Sequence, residues 1–141
     1  MPASLAQLGY GTVFQREIDG APGTWATVTE TVKAGGPGMK ADMKEVSNLL
    51  SPNTYKEFIA GLREGGDFTF EGNYLPKDAV QLKVQQDINL GTVKKWQVIL
   101  PGTLGTWSFS GFVASLIPVY PLDDRATYTC MIKITGQPTL A

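Results

Sequence analysis

The 141-residue chain contains no histidine. That absence removes the most common general base, the nucleophile–histidine triads and the usual zinc sites. Its single cysteine, Cys130, allows neither an intrachain disulfide nor a cysteine metal cluster. Because Cys130 falls in a strand pattern, it reads as a buried structural thiol rather than a reactive one. Charge is scarce, at 18% of residues with a net of −1. No basic field therefore exists to grip nucleic acid, and little repulsion opposes self-association. No apolar run is long enough to span a bilayer. The N-terminus lacks the basic-then-apolar pattern of a secretory signal, so the expected place of synthesis and residence is a cytoplasm.

The remaining polar clusters carry little chemistry. Asp123-Asp124 is the one carboxylate pair adjacent in sequence. It reads as a solvated turn, because acid–base pairs must converge across a cleft and a calcium loop needs more oxygen ligands. Gly35-Gly36-Pro37-Gly38 followed by Lys40 has the wrong spacing for a phosphate loop, and no Ser or Thr follows the lysine. Lys94-Lys95 is too short to form a basic patch. The sequence offers no catalytic residue, no metal ligands and no cofactor site, and it reads as a non-enzyme.

What is present is turn punctuation and alternation. Sixteen glycines and nine prolines separate short apolar–polar segments, the pattern of many short strands in one domain spanning residues 1–141. Met1 to Leu8 reads as a flexible arm. Gly11 to Ile18 and Thr24 to Val32 form a predicted hairpin about Gly20-Ala21-Pro22-Gly23. Lys33 to Lys44 reads as a long mobile loop, because its glycines and proline leave little to pack. Glu45 to Leu50 reads as a short strand, and Thr54 to Leu62 as one helical turn or an irregular apolar loop. Asp67 to Tyr74 alternates as a strand. Trp96 to Leu100, Trp107 to Ile117 and Tyr128 to Thr135 then form a predicted antiparallel meander. Gly136-Gln137-Pro138 is its closing turn. The predicted core is Phe68, Phe70, Trp96, Val98, Phe109, Val113, Tyr128, Cys130, Ile132 and Ile134.

Asp78 to Leu90 supports two readings. Val80, Leu82, Val84, Ile88 and Leu90 all fall on even positions, as in a strand. Against that, Asp78 and Gln81 are spaced as a capping box, Pro76 sits just outside, and Gly91 would end a helix. As a helix, the segment carries two apolar stripes: Val80, Val84 and Ile88 on one side, Leu82 and Leu90 on another.

The LPG turn at Leu100-Pro101-Gly102, the FxGxVxS strand from Phe109, the Pro/Asp turn and the KITGQP ending from Lys133 together resemble the tail tube proteins of long-tailed, non-contractile bacteriophages. Phe70-Glu71-Gly72-Asn73-Tyr74 extends the likeness, which covers roughly the last two thirds of the chain. The resemblance implies a mainly β fold, an antiparallel β-sandwich or flattened barrel with one packed helix at about residues 78–89. It thereby favours the helix reading, with one stripe on the subunit's own sheet and the other against a neighbour.

The resemblance also implies a virion subunit forming stacked, six-membered rings, through which DNA passes without specific binding, assembled in the host bacterial cytoplasm with no membrane. Its implied partners are further copies of itself, a tail tip or initiator, a tape-measure protein and a tail terminator. Lys33, Met39, Lys40, Asp42, Met43 and Lys44, with the Met1–Leu8 arm, are then expected to join ring to ring. Two alternatives stand beside this reading. One is the tube protein of a contractile injection system. The other is a monomeric carbohydrate-binding β-sandwich using Trp25, Trp96 and Trp107 as a platform.

Overall fold

The computed structural model describes Ser4 and residues 9–28 and 30–141. The expected N-terminal arm, Ser4 apart, lies outside the described residues. The strands are β1 (Val13–Glu17), β2 (Trp25–Thr27), β3 (Thr31–Gly35), β4 (Lys40–Glu45), β5 (Phe58–Glu64), β6 (Asp67–Asn73), β7 (Lys94–Ile99), β8 (Thr106–Val119) and β9 (Thr127–Leu140). One helix, α1 (Ala79–Leu90), lies between β6 and β7. Seven strands form one antiparallel sheet in the order β2-β1-β7-β8-β9-β6-β3, and β4 and β5 form a separate pair. The fold is therefore mainly β with a single helix. The large sheet is not a closed barrel, since no ladder joins its edge strands among the described residues.

The meander is present as β7-β8-β9, with Trp96 opposite Phe109 and Val113 opposite Ile132. Its two long strands run further than their turn residues indicated. β9 continues through Gly136-Gln137-Pro138, because a register irregularity absorbs these residues: Ser108 pairs with Thr139 and Ser110 with Thr135. A second irregularity, between Val113 and Ser115, reverses the facing of β8. Leu116 consequently turns to the core, while Phe112 and Ala114 face outward. Gly111 must be glycine, since a Cβ there would stand 2.5 Å from the Lys133 carbonyl oxygen.

The first hairpin pairs β1 with β2 as expected, Glu17 opposite Trp25. Thr24 to Val32 is not one strand, however. It divides into β2 and β3, which occupy opposite edges of the sheet. Only three residues separate Thr27 from Thr31, so the sheet must curl until its edges approach. The crossing is held by the Val28 amide donating to the Phe14 carbonyl (2.8 Å) and the Asn73 amide donating to the Glu30 carbonyl (2.9 Å).

Curling places β1 against β6 across the interior. Phe14 sits 4.9 Å from Phe68, 4.6 Å from Phe70 and 5.5 Å from Trp96, measured between ring centroids. All ten predicted core residues are buried, together with Phe14, Val28 and Val84. Trp96 spends its indole N–H on the Gly111 carbonyl, 3.2 Å away.

α1 fills the open side of the curl, packing chiefly on β8. Asp78 caps it by accepting from the Val80 and Gln81 amides (3.2 and 3.3 Å), and Gly91 ends it at φ +65°. Gln81 is buried and fixes the approach to the helix. Its amide donates to the Asn73 carbonyl (3.0 Å), and its carbonyl accepts from the Leu75 N–H (2.8 Å). One turn from the C-terminus, buried Asp87 takes two hydrogen bonds from buried Arg16 of β1, at 2.7 and 2.8 Å. Burial opposes the guanidinium's charge, but Asp87 and Asp19 outweigh it and hold its pKa above the ordinary arginine value.

Removing one member of this pair leaves the other charged and buried. Asp87→Ala is therefore expected to cost about 3–5 kcal/mol in chemical denaturation, while Arg16→Met/Asp87→Leu costs much less. A double variant as unstable as the single one would show that the pair's net attraction, not the stranded charge, carries the effect.

Candidate assembly surfaces

No group of three potential metal ligands occurs among the described residues. The distinctive surface is instead a projecting arm, β4 with β5. Lys40 pairs with Glu64, Met43 with Ala60 and Glu45 with Phe58. Every residue of both strands is exposed. Phe58, Ile59 and Leu62 lie bare on β5, and Met43 is 81% exposed on β4. Both faces are apolar in part, and the arm meets the body at its root, where Glu64 of β5 reaches Lys133 of β9.

The tip of the arm is held by polar groups bonded to one another. The Val46 amide donates to the Glu57 carbonyl (2.9 Å), and the Glu57 amide to Ser47 Oγ (2.8 Å). Ser51 Oγ accepts from the Asn48 amide (2.9 Å) and donates to Glu57 Oε2 (3.1 Å), while Asn48 Oδ1 accepts from the Leu50 amide (2.7 Å). With its backbone thus satisfied, the tip turns Leu49, Leu50 and Tyr55 out to solvent, Leu50 at 88%.

The root explains the glycines of residues 35–38. The chain leaves and re-enters the sheet at one point, where a Cβ on Gly66 would lie 2.1 Å from the Gly38 carbonyl oxygen. Gly66 also sits at φ +74°. Glu64 closes the root ionically, 3.3 Å from Lys133 and 3.5 Å from Lys40. The Lys133 hydrogen bond, aided by both lysine charges, holds the Glu64 carboxyl below its usual pKa. This contribution is present above the ordinary carboxylate pKa and is lost as pH falls through the lowered one.

The expected contact residues divide accordingly. Met39, Lys40, Asp42, Met43 and Lys44 lie exposed on or beside β4, so residues 33–44 are largely strand rather than a long loop. Lys33 belongs to the body, opposite Glu71 on β6. Thr54 to Leu62 is neither a helical turn nor irregular throughout: a short 3-10 turn at Pro52–Thr54 precedes β5. Glu45 to Leu50 contributes only Glu45 to a strand. Sequence reasoning missed Leu49, Leu50, Tyr55, Phe58, Ile59 and Leu62 as a surface. Their density was visible, but apolar residues on both faces of β5 erase the alternation that identifies a half-buried strand.

α1 offers a second surface. Val84 is wholly buried, with Val80 and Ile88 packed beside it, whereas Leu82 is 42% and Leu90 68% exposed. One stripe thus packs on the chain's own core and the other is bare. The tryptophans form no exposed platform: Trp96 is fully buried, Trp107 packs half-buried against the core, and Trp25 is half-buried. The basis of the carbohydrate-binding alternative is thereby lost.

A curled antiparallel sheet, one packed helix and an exposed apolar arm joined to the body at its root define a mainly β protein with no gathered catalytic site among the described residues. Residues 9–141 match the family described as lambda phage tail tube protein, and the chain belongs to that family. It is a tail tube protein of a phage-like tail. No curated protein matches it individually.

Among solved structures, it is similar to a chain in the tail of an empty GTA particle refined with helical C6 symmetry. That similarity has a TM-score of 0.84 at 20% identity and covers 96% of this chain and 99% of that one. A chain of the sheath/tube terminator of an extracellular contractile injection system, PVC, matches with a TM-score of 0.75 at 16% identity, covering 99% of each. The SPP1 tail tube matches with a TM-score of 0.69 at 11% identity, over 92% of this chain and 75% of that one.

Burial pushes the Cys130 thiol up to about 12, and the residue has no exposed surface. A thiol reagent at pH 8.5 is therefore expected to leave the folded subunit unmodified and to label one cysteine per chain after denaturation. Labelling of the native subunit as fast as of the denatured one would contradict this burial.

Proposed function

We propose that this chain is the repeating subunit of a hollow tail tube, built of hexameric rings stacked through the β4–β5 arm. The arm carries the proposal. A two-stranded ribbon with both faces bare is marginal alone, and this one exposes large apolar side chains along its length. Assembly supplies what the isolated chain lacks. Met39, Lys40, Asp42, Met43 and Lys44 lie within the ring-to-ring contact, joined by the β5 and tip residues. Leu82 and Leu90 of α1 serve contacts between neighbours within a ring.

In this reading DNA passes through the lumen at ejection without specific binding, in keeping with a net charge of −1. The tube is completed by a tail tip or initiator, a tape-measure protein and a terminator, with assembly in the host cytoplasm. A non-contractile tail is the first reading, as the sequence resemblance implies. Membership of a contractile system is the second reading, supported by the likeness to a chain of the PVC sheath–tube complex, with a TM-score of 0.73 at 16% identity.

Negative-stain microscopy of the purified protein is expected to reveal six-fold rings and tubes. Because the Gly38 and Gly66 backbones touch, residues 39–65 can be replaced by an Asn-Gly turn with little loss of core. That variant is expected to keep its fold by circular dichroism and to lose tubes. Tubes of normal length from it would refute the arm's role.

A further inference from the structure

Resting on the tail tube reading, we propose that the arm tip of one copy docks on the β8–β9 turn of another, a head-to-tail contact between opposite poles of the subunit. At one end of β6, Asp67 pairs with Lys133 beside the arm's root. At the other end, Asn73 pairs with Thr127 beside the turn that joins Val119 to Thr127. Six residue steps separate these ends, roughly 20 Å along the strand. The arm leaves from the first end, its root lying beside Gly136, Gln137 and Pro138, farther still from the turn.

The turn is the counterpart of the arm in chemistry. Ile117, Val119, Tyr120 and Leu122 are exposed there, Leu122 completely, and Tyr74 and Tyr120 lie 5.9 Å apart between ring centroids. Asp123 and Asp124 flank the apolar residues on the turn, with Arg125 the neighbouring cation, and Lys56 stands beside Tyr55 at the arm tip, where the neighbouring Glu57 carboxylate is engaged by Ser51.

Both apolar surfaces are bare within the single chain, so neither covers the other. A second copy facing the same way covers both at once and leaves one of each at the ends. Such a heterologous contact does not close on itself and extends along an axis. The polarity of the tube then follows from the subunit, since every copy offers an arm in one direction and a turn in the other.

The test begins with Leu50→Cys in one chain and Leu122→Cys in another. Mild oxidation of the mixture is expected to give a mixed disulfide dimer as the main product, since buried Cys130 does not compete. Absence of the mixed dimer while wild-type protein forms tubes would overturn the docking and leave the tail tube reading intact. A mixed dimer from a protein that forms neither rings nor tubes would uphold the docking and sink the tail tube reading.

Complementation gives an independent check. Leu122→Asp and the arm-shortened variant are each expected to stop at single rings. Mixed, they share one intact donor and one intact acceptor, so species two rings high are expected by mass photometry. Long tubes from Leu122→Asp alone, or only single rings from the mixture, would count against the contact.

Discussion

The pair between Arg16 and Asp87 governs how the rest of the structure can be arranged. It is the one buried ionic contact joining β1 to α1 among the described residues, and both charges are withdrawn from water. Ions so placed tolerate little displacement, because separating them exposes each to an unpaired desolvation cost. The geometry is further fixed by Asp19, which lies 3.2 Å from Arg16 and 2.8 Å from Lys94. Lys94, chiefly, with Arg16, keeps the Asp19 carboxyl below its ordinary pKa, against a smaller opposing effect of burial. Helix and sheet are thus locked in rotation about the helix axis. The lock decides that Val80, Val84 and Ile88 face the core and that Leu82 and Leu90 do not.

The second constraint is topological. A chain that places β2 and β3 on opposite edges, with three residues between them, cannot remain an open sheet. Curling brings Phe14 onto Phe68 and Phe70, so one aromatic cluster bridges strands that share no ladder. Yet the curl stops short of closure, and β3 keeps one edge without a ladder partner. A free edge invites pairing with another chain. In the proposed tube that edge is available to a neighbouring copy, and it sits on the strand that leads directly into the arm.

Much of this was legible in the sequence, for physical reasons that differ between elements. The meander could be read because β7, β8 and β9 alternate between a dry face and a wet one, and aromatic residues mark the dry face. Helix α1 was only half legible: Asp78 and Gly91 supply local capping chemistry, but the even-numbered apolar positions suited a strand equally, and the family resemblance decided between them. The ion pair was hidden because its partners lie 71 positions apart, and neither Arg16 nor Asp87 looks unusual among its neighbours. The division of Thr24 to Val32 was hidden because β-branched residues suit an edge strand at either side of the sheet. The arm was misread for the opposite reason. Its strands bury nothing within the chain, so periodicity, which reports burial, had nothing to report.

That last point bears on why the arm is built as it is. Its tip satisfies its own backbone through Ser47, Asn48, Ser51 and Glu57, and its root is closed by Glu64 between two lysines. These are polar, solvent-facing devices, each worth little alone. They hold the ribbon's shape without giving its apolar side chains anywhere to go. A stronger internal core would have stabilised the arm by hiding the residues proposed to meet another copy. A wholly disordered arm would lose the entropy of ordering at every contact. Weak polar preorganisation lies between these limits. In the proposed tube it leaves the favourable burial to be gained between copies, so association and completion of the fold would become one event.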